Sequence, residues 1–146
     1  MIAHTIQLAL APVFVLVAMG NILNLLSTRL GRVVDRARQL QDRHVATSGP
    51  AHDIVVAEMR LIDRRITLIT RAIRLLVLCG LAIGTTVALL FLEEIVRTDL
   101  QLAAACFFML SIALLMWGLV LFLSEAQVAA AQLKVPSDFL ELERKI

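Results

Sequence analysis

An all-α membrane protein with three transmembrane helices, the first two extended into a cytoplasmic antiparallel helical hairpin, is the fold this sequence predicts. Three observations carry that expectation. The 146-residue chain is 60% hydrophobic with a mean hydropathy of +0.86, too apolar a balance for water as its only solvent. Asp, Glu, Lys and Arg are absent from residues 1–28, 75–92 and 100–124. Between the first two of these windows, an arginine-rich stretch keeps a helical rhythm.

A hydrocarbon core of about 30 Å takes roughly 20 helical residues at about 1.5 Å each. In a single membrane domain, the first span is expected over about 6–26, the second over about 73–92 and the third over about 100–123. Arg74 then stands at the boundary of the second span, because Arg at a bilayer centre costs about 2.5–3.5 kcal/mol. No Lys or Arg precedes the first apolar run. It lacks the basic leader of a cleaved signal peptide and reads as a permanent span. Residues 29–74 hold ten Arg and no Lys, whereas the turn after the second span has only Arg97 beside Glu93, Glu94 and Asp99. The positive-inside rule puts the arginines in the cytoplasm, with the N-terminus outside and the C-terminus inside.

The expected cytoplasmic hairpin occupies about 27–72. Ser, Gly and Pro cluster as a turn in "ATSGPAH" at 46–52. Beyond it Val55, Ile62, Ile66, Ile69, Ile73 and Leu76 recur at three, four and seven, the apolar stripe of a packed helix. Asp53 is the expected N-cap. The first helix should run to about His44 and the second from about Asp53 to about Leu92. Antiparallel pairing with Leu26 opposite about Ile73 would bring Asp35 near Arg64 and Arg36 near Asp63. Only five acids accompany the ten arginines of 29–74, so a basic surplus remains. After the third span, "SEAQVAAAQLK" can continue as helix until Pro136, and "SDFLELERKI" completes an amphipathic tail over about 124–146.

The first span carries a polar seam. Gln7, Phe14, Asn21 and Thr28, followed by Asp35 and Asp42, are spaced by seven, with Asn24 beside them. Seven residues is nearly two turns, so they share one face. Lipid-facing amides are costly, so this face meets protein or water. It either lines a water-filled axis in a homo-oligomer or makes hydrogen bonds between helices. Pro12, in the same span, is either a hinge or a tolerated membrane proline.

On the second helix Arg60, Arg64, Thr67, Arg71 and Arg74 form one basic face. With Arg29 and Arg32, these arginines suit an inner vestibule, anionic lipid headgroups at the inner leaflet, or a cytoplasmic protein partner. Aromatic residues and Lys are absent from 29–74, which argues against nucleic acid. Gly80 and Gly84 form a small-residue step suited to close helix packing. Glu93 and Glu94 are candidates for an external mouth. Cys79 and Cys106 should lie too far apart along their helices for a disulfide. His44 and His52 flank the turn without any metal-ligand spacing, so neither metal nor cofactor is expected. Phosphate loops, H-E-x-x-H, C-x-x-C and nucleophile elbows are missing, and the chain does not read as an enzyme.

Two stretches carry a family resemblance: "LAPVF" at 10–14 with an Asn near the end of the first span and "RLGRVVDRAR" at 29–38, and "RLIDRRI" to "TRAI" across 60–73. Over about residues 5–125 the chain resembles the small bacterial inner-membrane proteins grouped as domain of unknown function 2721. The resemblance implies the multi-pass topology and a bacterial inner membrane, and assigns no activity. The leading functional expectation is a homo-oligomeric ion channel or channel-like pore lined by the first span. The alternative is a structural or regulatory membrane protein whose Arg-rich stalk binds anionic lipids or a partner.

Overall fold

The computed structural model describes residues 2–132, and all the regular structure there is helical. Three helices follow in order: α1 (Ile2–Ala46), α2 (Pro50–Val96) and α3 (Gln101–Gln132). Each contains a stretch long and apolar enough to cross a membrane. α1 and α2 run well past any bilayer thickness, at 45 and 47 residues. The amphipathic tail expected from about 124 is described only to Gln132, where it prolongs α3; the remainder lies outside the described residues.

The tip between α1 and α2 is tighter than the turn signals implied. α1 continues to Ala46, and the Thr47 hydroxyl donates to the Arg43 carbonyl at 2.9 Å. Gly49 takes φ 69° and ψ −148°, and Pro50 follows as the first residue of α2. Gly49, not Asp53, is therefore the N-cap. Its carbonyl accepts the His52 N–H at 2.9 Å, and Asp53 falls within the first turn. Proline suits that opening position because its missing N–H would have no helical partner. At the other end, α2 runs to Val96, one turn beyond expectation. Arg97 closes it in the left-handed conformation, its N–H donating to the Glu93 carbonyl at 2.9 Å. Asp99 accepts the Gln101 N–H at 3.2 Å as α3 begins.

Packing follows a seven-residue repeat on both long helices. On α1 the buried residues include Pro12, Met19, Leu26, Val33 and Leu40; on α2 they include Val55, Ile62, Ile69, Leu76 and Ile83. Equal spacing lets the two antiparallel helices keep their seams together over their whole length. Apart from Pro12, these residues belong to one continuous core. A second row on α2, Ala72, Cys79 and Thr86, takes up α3, where Gly118 sits against Leu76 and the Ala72 carbonyl. α2 is thus the shared partner, and α1 and α3 scarcely touch. Where α1 and α3 diverge toward the α2–α3 turn, an apolar cleft of about 520 Å³ opens between Leu8, Pro12, Leu90, Ala104 and Phe108.

Candidate functional site

The polar seam of α1 faces away from α2 and α3. Gln7, Phe14, Asn21, Asn24 and Thr28 are all exposed, Phe14 at 69%. The reason is angular. Asn21 and Thr28 each follow a seam residue, Met19 and Leu26, by two positions, which is about 200° around a helix. The Thr28 hydroxyl is satisfied locally by the Asn24 carbonyl at 3.0 Å. Asp35 and Asp42 continue the same exposed line. Pro12 is buried, and α1 passes through it without a break.

The basic face of α2 is equally open and points the other way. Arg60, Arg64, Thr67, Arg71 and Arg74 are exposed and lie opposite the α1 seam by the same two-residue offset. None of these four arginines makes an ion pair among the described residues. The two candidate surfaces are consequently on opposite sides of the α1–α2 pair. An axis lined by α1 cannot have Arg60, Arg64, Arg71 and Arg74 as its vestibule.

The expected charge pairs do not form. Asp35 and Arg64 both sit about 200° from the seam and cannot meet across it. Arg36 passes over Asp63 and reaches Glu58, donating from Nε at 2.9 Å and from Nη2 at 2.7 Å. Each of these partners flanks the seam, three residues after Val33 or Val55.

Glu125 is the site residue that sequence reasoning missed. It projects from α3 with no exposed surface and is clasped by arginines of both other helices. Arg65 of α2 donates from Nε to its Oε1 at 3.0 Å, and Nη2 lies 3.0 Å from the same oxygen. Arg29 of α1 places Nη2 3.0 Å from Oε2, an ion-pair contact off the line for a hydrogen bond. The Arg29 guanidinium also lies 5.3 Å over the Phe122 ring. One carboxylate thus ties together three helices, two of which otherwise barely meet. Arg29 is engaged here and is not a free vestibule charge; Arg32 is exposed. The available signal was position: Glu125 is the first charge after the third uncharged window, in a chain rich in unmatched arginine.

The remaining candidates divide. A methyl group added at Gly80 would meet the Met19 side chain at 2.8 Å, so α1 and α2 approach closely there, whereas Gly84 faces open space. Glu93 accepts from Gln101 Nε2 at 3.2 Å, and with Glu94, Arg97, Thr98 and Asp99 it lines a shallow recess of about 570 Å³ at the α2–α3 turn. His44 and His52 bring their rings 4.3 Å apart at the tip. No group of three or more metal-ligating side chains occurs among the described residues. Cys79 is buried, Cys106 is exposed and both are free thiols.

Comparison with curated proteins gives no match, and neither does comparison with solved structures. A family model does match, over residues 9–135, a span that holds the basic face, Glu125 and all of the polar seam except Gln7. The chain belongs to the family described as Protein of unknown function (DUF2721).

Proposed function

We propose that the protein is a homo-oligomeric, channel-like pore of the bacterial inner membrane, with α1 at the axis and the α1–α2 tip in the cytoplasm as a helical hairpin. The observation carrying this reading is that the polar seam of α1 is left uncovered by α2 and α3. Within the hydrocarbon layer, an exposed amide such as that of Gln7 needs protein or water beside it. A second copy of the same seam supplies both.

Depth supports a division of labour along the seam. Arg74 is the last charge before the uncharged part of α2. By register with Met19–Gly80 and Arg36–Glu58 it stands level with residues about 21–25 of α1. By the Gly118–Leu76 contact it is level with residues about 118–120 of α3. Trp117, 64% exposed, lies at this height, where interfacial aromatics collect. Counting outward at about 1.5 Å per residue, Asn21 sits at the inner boundary and Phe14 about 10 Å into the hydrocarbon layer. Gln7 lies about 10 Å beyond Phe14, while Asn24 and Thr28 fall among the headgroups. Phe14 rings from several copies would make an apolar constriction between two polar rings, the kind that gates by dewetting.

Reconstitution in planar bilayers tests this. Unitary currents are expected from the wild type, a raised leak from Phe14→Ala and loss of current from Asn21→Leu. A monomer in detergent, or silent membranes at every voltage and tension, would remove the proposal.

A further inference from the structure

We propose that Arg71 and Arg74 form a binding site for the phosphate of an anionic phospholipid in the inner leaflet, on the outward face of α2. This site uses the boundary placed at Arg74 but does not require α1 to line a pore.

Three features of the structure converge there. The two guanidiniums come from residues three apart on a helix, so their side chains are neighbours on one face. Both are exposed, and neither has an acidic partner among the described residues. The same face then continues without interruption into Leu78 and Leu81, exposed at 46% and 64%. Basic surface above apolar surface, on a face that neither α1 nor α3 covers, matches the two ends of a phospholipid. Guanidinium forks bind phosphate oxygens through paired N–H donors, and the acyl chains lie along the leucines.

Arg60 and Arg64 offer the same charge on the same face, but about 10–16 Å further from the bilayer than Arg71 by helical rise. They extend beyond the headgroup layer and lack an apolar continuation. The site is therefore local to Arg71 and Arg74, and not a property of the basic face as a whole.

Native mass spectrometry of the detergent-purified chain, given equal phosphatidylglycerol and phosphatidylcholine, reads this out. The wild type should retain phosphatidylglycerol in preference. Arg71→Gln with Arg74→Gln should weaken that retention at least about tenfold, given the size of juxtamembrane Arg–lipid attractions. Arg60→Gln with Arg64→Gln should leave it intact. All four side chains are exposed and Gln is a good helix former, so helical content by circular dichroism should be unchanged. Absence of any preference in the wild type, its survival in the Arg71/Arg74 variant, or equal loss in the Arg60/Arg64 variant would each overturn the site. Bilayer currents are a separate readout: their absence refutes the pore and leaves the expected lipid preference as it is.

Discussion

Gly49 holds φ 69° and ψ −148° between two long helices, a backbone region that side-chain-bearing residues occupy only at a cost of about 1–3 kcal/mol. Gly49→Ala should lower the thermal midpoint accordingly, although no atom stands near the added methyl. Arg97 presents the reverse case. It caps α2 in the left-handed conformation at φ 55° with a Cβ in place, so Arg97→Gly should stabilise by about 1 kcal/mol. Differential scanning fluorimetry in detergent measures both. Glu125 has more at stake than either. Its charge is buried and balanced by Arg29 and Arg65, whose side chains keep 29% and 18% exposure, so removing it costs less than the roughly 3–5 kcal/mol of a fully buried pair. Glu125→Ala leaves two guanidiniums without their counter-charge. It should release the end of α3, seen as faster hydrogen exchange along residues 119–132. Unchanged exchange there would show that the clasp contributes little.

At the scale of helices, the α1–α2 interface makes the two glycines of "GLAIG" unequal. Gly80→Ile would drive a branched side chain into Met19 and separate α1 from α2, whereas Gly84→Ala meets nothing within 4 Å among the described residues. Only the first substitution should lower the stability of the monomer. An effect of Gly84→Ala on subunit association alone would reveal a contact with another copy. This asymmetry was beyond sequence reading, because a small-xxx-small step announces a close neighbour without saying which glycine meets it. The helices themselves were legible: long uncharged windows and a seven-residue polar line leave few alternatives. Charge pairing was harder. Asp35 and Arg64 looked complementary by sequence distance, yet both lie on the outer side of their helices. The clasp at Glu125 needed the third helix to be in place, and nothing in local pattern couples residues 60 apart.

For the molecule as a whole, the polar face of α1 and the basic face of α2 look in opposite directions. In any closed assembly with α1 inward, α2 therefore presents its arginines to the surroundings. Orientation is open to direct test with a cysteine placed at the tip, Ser48→Cys, and another at the α2–α3 turn, Thr98→Cys, each in a background without Cys79 and Cys106. In intact cells with a permeable outer membrane, an impermeant maleimide should label the second and spare the first; the opposite pattern would invert the topology. The seven-residue spacing of the α1–α2 seam has a further consequence. A zipper whose teeth are evenly spaced can close one tooth out of step, since a slide by one repeat would set Leu26 against another apolar residue of α2. The three-residue link at 47–49 is too short to permit that slide, and Arg36–Glu58 rewards only one alignment. Splicing a flexible seven-residue segment into the link should therefore free the two rods to mesh in more than one position.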